Sequence, residues 1–267
     1  MLKFLTIAGS DCIGGAGVQA DIKTAQFFGL YSASAITAIT VQNSKGLFKS
    51  VATDEYMLQA QVEAVLEDFI PDCIKIGMLC TPQQVMIVAD ILEQLADEVK
   101  IVADPVLAPS MGNSFISDLR RMLDLYLYRL LPLTTIATPN RNEWNKFLEI
   151  VDNLNPGDSR NLTNSEIVRA LKLKALLITD GDSTECTDEL ISCENDYNPI
   201  FFMGEHINTR NHHGTGCVFS SALAALLAKK LPLTSAIAES KKFVTDGLRS
   251  GASINFADGY GPANFFI

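Results

Sequence analysis

The chain has 267 residues, 48% hydrophobic and 19% charged, which is enough apolar material for a sizeable core. Its 31 acidic residues against 21 basic ones give a formal charge of −10; with no Lys/Arg cluster to offset that field, nucleic acid and anionic membrane surfaces are excluded as partners. No stretch reaches the roughly 18 uninterrupted apolar residues of a membrane span, and MLKFLTIAGSDCIGG carries no small-residue cleavage site, so the expected location is cytoplasmic.

Lys3–Ala8 reads as a strand buried on both faces, and it runs into AGSDCIGGAGVQADIKT, Ala8 to Thr24. Gly9, Gly14, Gly15 and Gly17 there let the backbone approach a ligand closely. Gly15 to Ala20 also fits a G-x-G-x-x-A dinucleotide fingerprint, the mark of a Rossmann oxidoreductase. That site needs an acid after the next strand, but Ala35–Gln42 ends in Gln42-Asn43. No GxxxxGK[ST] occurs, which rules out a P-loop.

Further strands are expected at Cys73–Ile76, Lys100–Ala103, Thr135–Thr138 and Leu176–Thr179. Helical patterns lie between and after the strands, at Gly17–Phe28, Tyr56–Asp68, Pro82–Leu95, Ser117–Leu130 and Asn142–Ile150. Asn164–Leu173, Cys217–Lys230 and Ser235–Ser250 complete the set. The alternation predicts a parallel sheet with helices on both faces, in one domain over 1–267. Ligands of such sheets sit beyond the carboxyl ends of the strands. Asp152–Asn164 and Asp180–Pro199 read as loop excursions, the second with room for a hairpin.

Acids stand at two of those strand ends. IVADPV places Asp104 after one strand, and ATPNRNEW places Asn140 and Glu143 after the next. Carboxylates so placed can hold Mg²⁺ through one or two oxygens plus water. Asn140 is equally suited to cap the following helix, with Glu143 as its reciprocal partner.

Late in the chain, HHGTGCVFSSALAALLAKK puts Gly214-Thr215-Gly216 just before an Ala/Leu-rich helix. Unpaired amides and partial positive charge at a helix entry suit a phosphoryl oxyanion, and would stabilise a Cys217 thiolate. The other cysteines, at 12, 73, 80, 186 and 193, form no C-x-x-C pair and read mainly as buried thiols. His206 and His212 read as surface or turn residues, His213 abuts the anion hole, and Trp144 reads as packing.

Together, AGSDCIGGAGVQADIKT, ITAITVQNSKG, IKIGML, ADPVLAPSMG, TPNRNEW and HHGTGC resemble the ribokinase-like superfamily, in its hydroxymethylpyrimidine/phosphomethylpyrimidine kinase branch. The resemblance implies an α/β three-layer sandwich with a mostly parallel central sheet, and transfer from ATP, with Mg²⁺, to the hydroxymethyl group of a pyrimidine of thiamin synthesis. It implies that Gly9, Gln42, Met78 and Val106 surround the ring, with Asp21 framing the pocket. Asp104 and Glu143 would face Mg–ATP; Asn140, Thr179 and Gly181 lie on the same nucleotide side. Cys217 would lie beside the acceptor hydroxyl as a candidate base, with the Gly214–Cys217 amides as the anion hole.

Two segments depart from the family pattern. Where relatives carry Lys-Gly-Gly, this chain reads Thr179-Asp180-Gly181-Asp182, and acids there would repel ATP phosphates. Gly259-Tyr260-Gly261-Pro262 keeps a family-like Gly-x-Gly-Pro, but Asn264 stands where a histidine is often found. Alternatives left open are a pyridoxal kinase and a ring-binding homologue with weak ATP use. A homo-oligomer, dimer or trimer, is expected.

Overall fold

A computed structural model of the chain describes residues 1–95, 98–107, 118–154, 162–181 and 185–264. The PSMGNSF stretch and Asp182 lie outside them.

The strands are β1 (Lys3–Ser10), β2 (Tyr31–Asn43), β3 (Gly46–Ala52), β4 (Cys73–Ile76), β5 (Lys100–Ala103), β6 (Ile136–Ala137), β7 (Ala175–Ile178), β8 (Asp188–Ser192) and β9 (Ile200–Phe202). They form one sheet in the order β3-β2-β1-β4-β5-β6-β7-β8-β9. The strands from β2 across to β7 run parallel, and β3, β8 and β9 pair antiparallel to their neighbours. The sheet is thus the mostly parallel one that the alternating pattern predicts.

Successive residues of the central strands point to opposite faces, and each face has its own helices. Leu5, Ile74, Ile101, Ala137 and Leu176 join the larger core, with side chains of α2 (Glu55–Asp68), α3 (Pro82–Leu92), α4 (Leu119–Leu125), α5 (Arg141–Leu154) and α6 (Asn164–Ala170). Phe4, Cys73, Val102, Ile136 and Leu177 face the other way, onto residues of α1 (Gly17–Phe27), α7 (Thr215–Ala228) and α8 (Leu233–Gly251). Helix α7 is buried from Val218 to Ala228, so its Ala/Leu composition has no polar face to show. Among the described residues no helix is long and apolar enough to cross a membrane.

Two differences from the sequence reading concern the sheet edges. β2 starts at Tyr31, not Ala35, and β3 was not expected at all. GLFKSVA alternates poorly and is half exposed along its length, because it is an edge strand folded back on β2 as a hairpin. At the opposite edge the hairpin expected within Asp180–Pro199 runs past that segment: β8 lies inside it and pairs antiparallel with β9 just beyond.

The chain visits β2 and β3 on one side of β1 and then crosses to β4 on the other. In open sheets of this kind the crevice that takes ligands lies beyond the carboxyl ends of the strands flanking such a reversal, here β1 and β4. Gly9 and Met78 stand there.

Candidate active site

Two glycine-rich turns meet above this crevice. The first, after β1, opens α1; the second opens α7. Gly214 caps α7 at φ 80°, and a Cβ there would fall on the carbonyl oxygen of Gly15, so only glycine lets the turns touch. The N–H of Gly17 points at the sulfur of Cys217. Two helix N-termini therefore converge on one place, which concentrates positive dipole ends.

The turns are also tied by side chains. Asp11, 2% exposed, accepts from the amides of Ile13 (3.0 Å), Gly15 (3.0 Å) and Ala16 (2.8 Å). Its Oδ2 lies 2.9 Å from Nε2 of His213. Burial works to raise the Asp11 carboxyl, but the His213 contact and the amides outweigh it and hold the pKa below the usual value. The His213 amide in turn donates to the carbonyl of Gly261 (3.0 Å), and Tyr260 donates its amide to Ser44 (2.7 Å) in the β2–β3 turn. The His212 and Tyr260 rings meet edge-on at 5.0 Å. The Gly259–Pro262 segment, unassigned from sequence, thus straps the hairpin to the anion-hole turn.

Beneath Cys217 lies a buried ionic cluster. Lys75 is fully buried in mid-strand, its ammonium 3.0 Å from Asp21 Oδ1 and 3.7 Å from Asp104 Oδ2. Asp21 also accepts from the hydroxyls of Thr6 (2.6 Å) and Ser221 (2.8 Å). Burial alone would depress the ammonium's pKa, but the charges of Asp21 and Asp104 keep it above the usual value. Asp21 was expected to frame the ring pocket; with no exposed surface, it instead holds Lys75 from behind the wall.

Cys217 requires the larger correction. Its thiol pKa is pushed up to about 12, chiefly by burial; Lys75 pulls it down, but Asp21 and Asp104 push the same way as burial. Burial above all, with the two acids adding to it, works against the thiolate expected at the helix entry.

On the ring side, a Cβ at Gly9 would strike the Met78 methyl, so glycine and methionine share one small space. The Thr37 hydroxyl donates to the Met78 carbonyl at 2.6 Å. Gln42 is half-buried near the tip of β2, beyond the last β1 residue that pairs with that strand. Its main chain is met there by Cys12, whose Sγ donates to the Gln42 carbonyl (3.0 Å) and accepts from its amide (3.4 Å). Val106, half-buried, lies two residues after Asp104 and donates its amide to the Asp104 carbonyl at 2.8 Å.

On the other side of the crevice, Asp104 is 6% exposed and shares the Ser220 hydroxyl (3.0 Å) with the carbonyl of Gly216 (2.9 Å). Burial raises its pKa, against the pull of Lys75 and Ser220. Glu143 caps α5 as anticipated: its Oε2 accepts from the Asn140 amide (2.9 Å) while Asn140 Oδ1 accepts from the Glu143 amide (2.8 Å). Oε1 takes the Leu107 amide at 3.3 Å. Burial, then the charge of Asp104, pushes the Glu143 carboxyl up to about 8. Among the described residues no three of His, Cys, Asp and Glu gather into a metal-sized group. Asp104 and Glu143 are nonetheless two hard oxygen donors with lone pairs to spare, a set that suits Mg²⁺ completed by water and phosphate.

Asn140 and Thr179 come together as a parallel bridge, and Gly181 has open space around it. Of the two acids expected to repel phosphates, Asp180 is engaged by neighbours and Asp182 lies outside the described residues. Asp180 Oδ2 accepts from Arg141 Nε at 3.0 Å, and the Asp180 amide donates to Asp188 (3.0 Å). Asp188 also holds Lys241 at 2.6 Å. Asp11, Lys75, Ser220 and Ser221 were missed in the sequence; a lone lysine inside the apolar run CIKI was the signal that a buried acid must face it.

Comparison with known proteins gives a consistent picture. The phosphomethylpyrimidine kinase family model matches residues 11–264. A hydroxymethylpyrimidine/phosphomethylpyrimidine kinase of Haemophilus influenzae is 36% identical over 266 residues, covering 98% of this chain and 96% of the relative. Among solved structures, the phosphomethylpyrimidine kinase of Clostridium difficile 630 superposes with a TM-score of 0.71 at 32% identity, covering 92% of this chain and 100% of that one. The pyridoxal kinase of Bacillus subtilis, solved as an ADP complex, gives a TM-score of 0.81 at 30% identity, with 99% and 97% covered.

Proposed function

The chain belongs to the phosphomethylpyrimidine kinase family, and from that premise we propose how its own residues carry out the transfer. The reaction is phosphorylation of the hydroxymethyl group of 4-amino-5-hydroxymethyl-2-methylpyrimidine with ATP, in thiamin biosynthesis. What supports the residue assignment is the junction of the two glycine turns, where Gly214 rests on Gly15 and the Gly17 amide meets Cys217.

In this reading Gly9, Met78 and Val106 form the apolar walls of the ring site, and the Gln42 amide offers a donor and an acceptor to the pyrimidine edge. The amides of Gly214, Gly216 and Cys217 receive the oxygens of the migrating phosphoryl group, joined by that of Thr215 once it leaves the His212 carbonyl it meets at 3.3 Å. Phosphoryl transfer passes through a loose transition state in which positioning and charge stabilisation matter most. A strong base is therefore not required. Cys217, a neutral thiol, orients the acceptor hydroxyl and takes no part as a thiolate. Asp104 and Glu143, with Asn140, Thr179 and Gly181 beside them, make up the nucleotide side. Asp104 and Glu143 would hold Mg²⁺, which would neutralise charge on the phosphates.

The test is incubation with Mg–ATP and the pyrimidine alcohol, resolving monophosphate from diphosphate by mass, with pyridoxal as the competing alcohol. Turnover of pyridoxal alone rejects the reading. The same reading has copies of the chain associate as a dimer or trimer; Ile39, Val41, Phe48 and Val51, exposed on the β2–β3 hairpin, are the surface such assembly would cover, and sedimentation velocity decides.

A further inference from the structure

We propose that Asp11 and His213 form a positioning pair that sets the anion-hole turn for phosphoryl transfer and leaves ring binding alone. The inference rests on the reading that the Gly214–Cys217 amides receive the phosphoryl group. Neither residue has a place in the mechanism so far, yet together they join segments 202 positions apart at 2.9 Å.

The chemistry of the pair fixes its geometry. The Asp11 carboxylate already accepts three amides of the first turn, so it presents acceptors only. The imidazole facing it must therefore carry its hydrogen on Nε2, which turns Nδ1 away from Asp11. The ring lies so close to the first turn that a Cβ at Gly15 would approach its Cδ2 to 2.6 Å. The His213 amide is separately held by Gly261 at 3.0 Å. Residue 213 is thus fixed at both backbone and side chain, and Gly214 follows it directly. A half-ångström shift of that turn would move all four amides off the phosphoryl oxygens at once.

A simple staple between loops would also show these contacts, but losing it would change stability rather than the chemical step. Kinetics of H213A and H213Q separate the two roles. The Gln amide nitrogen reaches about where Nε2 lies and can donate to Asp11, so H213Q is the conservative variant. In H213A we expect kcat to fall about 30-fold and AMP-PCP affinity severalfold, with the KM for the pyrimidine within about twofold of wild type. H213Q should recover kcat to within about fivefold. Thermal unfolding of both variants should match wild type within a few degrees. Equal impairment of the two variants, a raised pyrimidine KM at unchanged kcat, unaltered AMP-PCP binding, or a loss that tracks unfolding would each overturn the proposal. A wild type that binds AMP-PCP in this His213-dependent way, but phosphorylates no pyrimidine, would leave the pair standing and remove the substrate assignment alone.

Discussion

The ammonium of Lys75 lies 3.0 Å from the carboxylate of Asp21, and neither side chain reaches solvent. Such a pair adds little stability over an apolar replacement, but removing one partner strands the other's charge in a dry interior. K75M should therefore lower unfolding free energy by about 3–5 kcal/mol, read by urea titration. The double variant D21N/K75M should be more stable than K75M. A single variant within about 1 kcal/mol of wild type would show that the cluster is wetter than its geometry implies.

Glu143 predicts a pH dependence. Its carboxyl stands near 8 in the folded chain against an ordinary 4.5, so between those values the folded state holds a proton that the unfolded state has released. Stability from this group is complete below about 4.5 and is lost as pH rises through about 8, by at most about 1.4 kcal/mol per pH unit. Melting of the nucleotide-free protein between pH 5 and 9 should show E143Q with a shallower decline than wild type. Parallel curves would refute the raised pKa.

Cys217 should not behave as a titrating base. With the thiol protonated up to about 12, kcat between pH 7 and 9.5 should show no limb that C217A removes. The alanine variant should lose roughly 10- to 100-fold in kcat, from misorientation of the hydroxyl. A loss near 10⁴-fold, accompanied by disappearance of an alkaline limb, would restore the sulfur as the base.

Cys12 holds the main chain of Gln42 through two contacts at a point where β1 has ended. C12A should raise the KM for the pyrimidine about three- to tenfold while sparing the KM for ATP, and C12S should sit between. Alkylation of the exposed thiol should act more strongly and be slowed by the pyrimidine. If C12A shifts both KM values together, the contact is structural and not specific to the ring side.

Much of this arrangement was readable in the residues, and what was missed has a physical pattern. The strand ends were legible because Asp104, Gln42 and Asn140 each follow a short apolar run that ends abruptly. The Asn140–Glu143 cap was legible because both partners lie within one helical turn. The Lys75–Asp21 pair was not, since 54 positions separate residues that carry no local pattern. Cys217 misled for a related reason. Its own segment advertises a helix end, while the burial that chiefly raises its pKa, and the acids of α1 and the end of β5 that add to it, come from elsewhere in the chain. β3 escaped because an edge strand needs little hydrophobic alternation once a neighbour supplies its hydrogen bonds.

The strap from Tyr260 and Gly261 has a temporal consequence. Every strand of the sheet precedes it in the chain, as do both glycine turns. During synthesis the sheet and its helices can assemble while the backbone before Gly214 still lacks the carbonyl that steadies it. A nascent molecule would thus look folded by most probes before it could turn over ATP, and competence would arrive as a late, separate event.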